Sequence, residues 1–449
     1  MTHYVPHTDQ DFERMLGDLG LSRPDDLFNC VPAALRLAGG LDLPAGMPEP
    51  DVAAELARLA ADNHTGSELV CFAGGGAYDH DVPAVTRALA GRSEFVTSYT
   101  PYQPEVAQGV LQALFEYQTL VSRLAGLPVA NASVYDGATA TVEAVNLALA
   151  ATGRSTVWVS GGLNPRWRAA LATLTAGRGT HIVDVPLADG VADWEGMEVG
   201  QAADGAPAPG ALVGASPNYL GCIDSLRRAR DVARRRGALV VGVFDPVAAG
   251  LLRTPGEEGA DVAVAEGQPL GAPMAFGGPY LGMLAVAAEH VRRLPGRLVG
   301  QTTDGQGRTA YVTTLRAREQ DIRREKASSN ICTNQTLVAV TAMVQMAWLG
   351  THGLRELALR CARGTRYLRQ ALLGLRGVEP LVGAPVLREF ALRLPVGPDV
   401  VIERMAEEGF LAGIAVEVSG REGLLVAVTE KRTRAEMDAY VAALDKVVA

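Results

Sequence analysis

From Ala130 to Asp245 the chain alternates short apolar runs with amphipathic ones, and that alternation narrows the fold more than any other feature. The runs NASVY, TVWVS, HIVDV, ALVGAS and ALVVGVFD read as strands. Between them, Thr139 to Ala151, NPRWRAALATL and CIDSLRRARDVARRR read as helices, with a Gly/Ala-rich connection at 200–210. Strands apolar along their whole length, separated by helices, predict a mostly parallel sheet covered on both faces. In such α/β sheets, ligands sit outside the carboxyl ends of the strands.

The flanks are read differently. Residues 1–95 are expected to be a helical N-terminal region. Thr8 and Ser22 stand as N-caps before DQDFERMLGDLG and PDDLF, and DVAAELARLAAD forms a further helix at 51–62. The large α/β domain is expected over 96–335 and a smaller C-terminal α/β domain over 336–449. The latter has a long apolar helix from Leu337, strands FALRL, IAVEV and LLVAVTE, and helices near 399–409 and 433–447. A chain of 449 residues with 48% hydrophobic and 20% charged residues has ample material for a core. Its net charge of −9 argues against nucleic acid as a main partner. Five cysteines without metal-like spacing read as reduced thiols, and no metal site is expected. The polar start MTHYVPHTDQDFERML does not read as a signal peptide, and no uninterrupted apolar run reads as a bilayer span. A cytoplasmic location without membrane attachment is therefore expected.

Chemistry-bearing candidates cluster at the expected strand ends. In ADVAVAEGQPLGAPMAFGGPYLGM (260–283), glycines and prolines force an exposed irregular loop between two apolar strands, with Gln268 at its centre. Gly137-Ala138-Thr139 opens a helix; it is either an ordinary helix start or an anion seat, because free N–H groups and the helix dipole favour negative charge. Asp245 follows the strand LVVGVF and precedes Pro246. Gly74-Gly75-Gly76 reads as a tight turn sooner than a phosphate cradle. Asp79-His80-Asp81 reads as a hydrogen-bonded surface loop sooner than a metal site. The segment TSYTPYQPE (97–105) is either a docking arm or a pocket lining supplied by Tyr99, Tyr102, Gln103 and Glu105. RAREQDIRREKASSNICTNQT (316–336) reads as a charged helix running into a polar loop that holds Ser328, Asn330, Thr333 and Asn334. Only three lysines occur, Lys326, Lys431 and Lys446, so an imine-forming lysine would have to be one of them.

Five stretches together carry a resemblance: 97–119, ANASVYDGATA at 130–140, 260–283, LPGRLVGQT at 294–302 and 317–336. They resemble glycine decarboxylase, the P-protein of the glycine cleavage system, a pyridoxal-phosphate (PLP) enzyme of the aspartate-aminotransferase-like fold (fold type I). Gln268 falls where the family's cofactor lysine would stand, and Asn164 where relatives commonly have histidine. The chain is therefore similar to subunit 1 of the split form. The resemblance implies that PLP and its lysine reside on a partner, subunit 2, in an αβ unit that dimerises to α2β2. Together the subunits would decarboxylate glycine and pass its aminomethyl group to the lipoyl arm of the H-protein. Tyr99, Tyr102, Gln103, Glu105 and Asn330 would contribute to an interface site. Gly137, Ala138, Thr139, Asp245 and Gln268 would be the remains of a cofactor pocket, Asp245 at the position that pairs with a pyridinium nitrogen. Two alternatives are an inert scaffold for the partner and a self-sufficient PLP enzyme using Lys326.

Overall fold

The structure is a computed structural model that describes residues 6–37, 39, 41–66, 68–203 and 207–449, with the side chains of 201–203 left undescribed. The chain divides into two compact units, 1–64 and 65–449.

The first unit holds helices Asp9–Asp18 and Glu49–Ala60 and two short 3-10 turns. Thr8 caps its helix as expected, in a capping box with Asp11. Ser22 does not cap: Arg23 takes the cap position, and the Asp26 carboxylate accepts the N–H groups of both Ser22 and Arg23. None of the helices or turns of this unit contains a buried residue.

In the second unit seven strands form the main sheet: β1 (Val129–Ala130), β2 (Thr156–Ser160), β3 (His181–Val185), β4 (Ala211–Ser216), β5 (Leu239–Phe244), β6 (Val262–Glu266) and β7 (Gly282–Val286). Their order is β1-β7-β6-β5-β4-β2-β3. β3, β2, β4, β5 and β6 run parallel, while β7 pairs antiparallel with both β6 and β1. Alternate residues feed two cores. Ala263, Ala265, Met283 and Ala285 pack with helices Gln108–Ala125 and Thr336–Leu372. Val262, Val264, Leu284 and Val286 pack with helix Gly137–Thr152 on the other face. Such burial on both faces is what suppresses polar residues in these strands.

Further along, β8 (Glu379–Pro380), β9 (Glu389–Arg393), β10 (Ile414–Val418) and β11 (Arg421–Ala427) make an antiparallel sheet in the order β8-β9-β11-β10. Its core includes Phe390, Leu424, Val426 and Tyr440 of the terminal helix Arg434–Val448.

After the 97–105 segment a 3-10 turn at Pro104–Val106 precedes helix Gln108–Ala125. The charged stretch at 316–326, expected as one helix, is broken into a four-residue α-helix, Gln320–Arg323, between two 3-10 turns, since Leu315 and Arg324 adopt φ of 54° and 53°. Helix Thr336–Leu372 is long and apolar enough by composition to cross a membrane. Gly350 interrupts it with a non-helical φ of 58°, and Ala339 to Met346 pack into a core of this chain.

Candidate functional site

At the carboxyl ends of β2, β4, β5 and β6 lies a cleft whose remaining cavity is about 80 Å³. Gly76 and Tyr78 close it from one side, and Arg388 and Glu389, at the entry to β9, from another. Asp245 directly follows β5 and lines the cleft. One of its oxygens accepts the Val247 N–H, and the other pairs with Arg388 at 2.6 Å. Both side chains of the pair are largely shielded, at 5% exposure for Arg388 and 12% for Asp245.

Arg388 is held on two further sides. Its guanidinium carbon lies 3.4 Å from the centre of the Tyr78 ring. Its Nη1 is 2.8 Å from His80 Nε2, and His80 Nδ1 is 2.6 Å from Glu430. A guanidinium only donates, so Nε2 accepts, and a neutral His80 carries its proton on Nδ1 toward Glu430. His80 is thus buried and bonded at both nitrogens, not part of an exposed loop. Beside it, Glu389 accepts the Tyr78 hydroxyl at 2.5 Å and the Gly75 N–H at 3.0 Å. Burial raises its pKa.

Gln268 is fully buried, where the sequence suggested an exposed loop. Its amide fits its surroundings completely. Oε1 accepts the Tyr78 N–H, and Nε2 donates to the Tyr78 and Ala272 carbonyls, all within 2.8–3.0 Å. The side chain therefore joins the 72–80 segment to the turn after β6 much as a neighbouring strand would.

The anion seat at Gly137-Ala138-Thr139 faces carboxylates. Gly137 N–H donates to Glu266 at 2.9 Å, and Thr139 N–H donates to Asp136, the N-cap, at 2.7 Å. Glu266 also accepts the Gln268 and Leu281 N–H groups. Burial pushes its pKa up, the three N–H donors pull it down, and burial wins at about 7. The Trp167 ring lies so close to Gly137 that an added Cβ would come within 2.3 Å of it. Asn164 caps helix Pro165–Thr175 and donates to the Gly75 carbonyl instead of facing a ring.

These residues do not fit a bound phosphorylated pyridine. A cavity that takes up benzene measures about 150 Å³, against about 80 Å³ here. The acid that would face the ring nitrogen already holds a cation, and the Gly137 and Thr139 N–H groups already hold carboxylates. No lysine lines the cleft: Lys326 is exposed, and Lys431 and Lys446 pair with Asp79 and Glu408.

The remaining candidates lie elsewhere; none of Tyr99, Tyr102, Gln103, Glu105 and Asn330 lines the cleft. All five side chains are exposed, Tyr99 at 82% and Tyr102 at 48%. Arg297, from the 294–302 stretch, gathers the segments that contain them. It donates to Thr100 Oγ1, Asn334 Oδ1 and the Cys332 carbonyl, and lies 5.6 Å from the Tyr102 ring centre. Arg316 approaches the same ring at 5.1 Å. Arg297, Arg388, Tyr78, Glu266 and Glu389 were not singled out by sequence reasoning. A buried charge leaves little local trace, since its partner is distant in sequence; Arg388 and Asp245 are 143 positions apart.

The fold and cleft define a protein of the PLP fold type I architecture. Two solved structures share it at low identity. Mouse CSAD in apo form has a TM-score of 0.67 at 15% identity, covering 95% of this chain and 92% of that one. Sphingosine-1-phosphate lyase from Burkholderia pseudomallei has 0.61 at 17%, covering 93% and 94%. A crystal structure of glycine decarboxylase (P-protein) of the glycine cleavage system, in inhibitor-bound form, superposes with a TM-score of 0.89 at 44% identity, covering 99% of this chain and 100% of that one. The family model of the glycine cleavage system P-protein matches residues 2–444, and the chain belongs to that family. Moorella thermoacetica has a relative named "Probable glycine dehydrogenase (decarboxylating) subunit 1", 47% identical over 99% of this chain and 100% of the relative. A protein of the same name from Prosthecochloris aestuarii is 46% identical over 98% of each.

Proposed function

We propose that this chain is subunit 1 of a two-chain glycine dehydrogenase (decarboxylating). Its companion, subunit 2, holds the PLP and its lysine. The pair decarboxylates glycine and delivers the aminomethyl group to the lipoyl arm of the H-protein, working as α2β2. One observation carries the division of labour: in a chain of this family the cleft is occupied by the chain's own Arg388 and Glu266, and no lysine lines it. A chain so arranged serves the reaction through its surface, and the 97–105 segment with Asn330 is the part we assign to completing the companion's site. Tyr102, flanked by Arg297 and Arg316, would be presented in a fixed orientation, and Tyr99 would extend outward from the same segment. Lys326, exposed in a short turn and not lining the cleft, has none of the enclosed surroundings that would hold a cofactor beside it.

The test is reconstitution. The chain purified alone should be colourless, with no borohydride-sensitive band, and should not exchange bicarbonate into glycine. Mixed with its companion and H-protein it should restore that exchange. Full exchange by the companion without this chain would leave only the scaffold reading.

A further inference from the structure

We propose that the cleft carries an internal ligand: Arg388 occupies the seat of a planar cation between Asp245 and the Tyr78 ring, and Glu266 the seat of an anionic group on the first turn of helix Gly137–Thr152. The inference deepens the proposed function, which rests on the same occupancy of the cleft; ligand responses of the isolated chain test this inference, and reconstituted exchange with the companion tests that one.

Three observations carry it. The first is chemical matching. The guanidinium is planar and cationic, lies on an aromatic face at 3.4 Å, and pairs with a shielded carboxylate at 2.6 Å. Those are the contacts a flat cationic ring would make in the same place. At the other end a carboxylate takes the Gly137 N–H, as an anionic group would. The second is origin. Arg388 leads into β9 of the C-terminal sheet, Asp245 directly follows β5 of the main sheet, and Tyr78 and His80 belong to the segment preceding both. The plug therefore pins three parts of the chain together, the mechanical service a bound ligand performs in a cleft. The third is imperfect fit. Arg388 Nε is buried and has no hydrogen-bond partner among the described residues. A seat that satisfies a side chain's plane and charge but strands one N–H is shaped for a flat cation more generally than for arginine.

It follows that removing the side chain should expose a usable site. Arg388→Ala in the full-length chain leaves Asp245 shielded and uncompensated beside an empty space of guanidinium shape. Its melting temperature should fall below that of the parent, and methylguanidinium chloride should raise it saturably, more than equal concentrations of sodium chloride or tetramethylammonium chloride. The parent should show no response beyond the salt control. In Arg388→Ala/Glu266→Ala, pyridoxal phosphate should give a saturable rise in melting temperature that borohydride does not fix to the protein, because no lysine lines the cleft. The parent should show none. Where Arg388→Ala does not fold unaided, its refolding yield with and without methylguanidinium is read instead. The proposal is overturned by a saturable response of the parent to pyridoxal phosphate. It is equally overturned if neither stability nor yield of Arg388→Ala distinguishes methylguanidinium from the control salts.

Discussion

Asp245 and Arg388 show how far the cleft's chemistry depends on pairing. Removing one member of a buried ion pair strands the other, which costs about 3–5 kcal/mol, whereas replacing both with groups of similar volume is often close to neutral. Asp245→Asn should therefore lower the stability of the isolated chain by about that amount in denaturant unfolding. Asp245→Asn/Arg388→Met should recover part of the loss; equal or greater destabilisation of the double variant would show the pair is not coupled. Glu266 gives a pH-dependent counterpart. Its folded pKa of about 7 lies above the ordinary carboxylate value, so the folded chain holds more protons than the unfolded one between those limits. The contribution of Glu266 to stability is full below pH 4.5 and declines as pH rises toward and through about 7, by about 3 kcal/mol in all. Glu266→Gln resembles the protonated acid and does not titrate. Its stability relative to the parent should thus improve from pH 5 to pH 8, as read from paired unfolding curves. A relative decline would mean that the three N–H donors outweigh burial. Gln268→Lys belongs to the same residues. A lysine there would face the Tyr78 N–H, which now donates to the amide oxygen, while Arg388 and Glu266 would still fill the cleft. The variant should show no imine absorbance and no glycine-dependent bicarbonate exchange without its companion.

At the scale of elements, the 97–105 segment separates packing from function. Tyr99 is 82% exposed and Tyr102 48%, so neither hydroxyl is a core group whose loss would unsettle the fold. Tyr99→Phe and Tyr102→Phe should leave the isolated chain within about 0.5 kcal/mol of the parent. At least one should reduce glycine decarboxylation in the assembled enzyme with assembly intact, because small misplacements at a reacting centre are costly. Full activity in both would leave the segment a docking arm. The contrast with the main sheet shows what the sequence makes legible. β4, β5 and β6 are buried on both faces, so composition alone reveals them, and Asp245 stands out as an acid directly after β5; Glu266, the last residue of β6, does not, because its N–H partners come from the fold. Gln268 is legible only as a residue in a glycine- and proline-rich loop; its burial depends on the Tyr78 backbone, 190 positions away. The charges at 316–326 recur at helical spacing, whereas the positive φ of Leu315 and Arg324 that breaks the run leaves no local signature. Strand-end positions follow from periodicity, whereas occupancy of the cleft follows from long-range pairing.

At the scale of the whole molecule, large apolar side chains stand exposed in both units. In the first unit Phe12, Leu19, Phe28, Leu56 and Leu59 are exposed. The described helices of that 64-residue unit contain no buried residue. In the second unit Val106 is 82% exposed and Phe276 98%, the latter with φ of 47°, an uncommon conformation for a bulky residue. Exposed large apolar residues mark association surfaces when they are contiguous, and related folds commonly pair about a two-fold or pseudo-two-fold axis. For this chain the companion subunit is the expected partner, and the isolated chain should form a homodimer through the same surface. Sedimentation of the mixed chains should give αβ and α2β2 species. Val106→Glu and Phe276→Glu place a charge on already exposed positions, so each should change the stability of the unit that carries it by less than about 0.5 kcal/mol. An interface that buries either residue would have to desolvate the new carboxylate without a partner, which costs far more than the lost apolar contact. At least one variant should therefore shift the mixture toward free chains while its own unfolding curve stays unchanged. If both variants sediment as the parent does, neither residue is covered in the assembly, and the contact must be made by other surfaces, the apolar faces of helices Asp9–Asp18 and Glu49–Ala60 first among them.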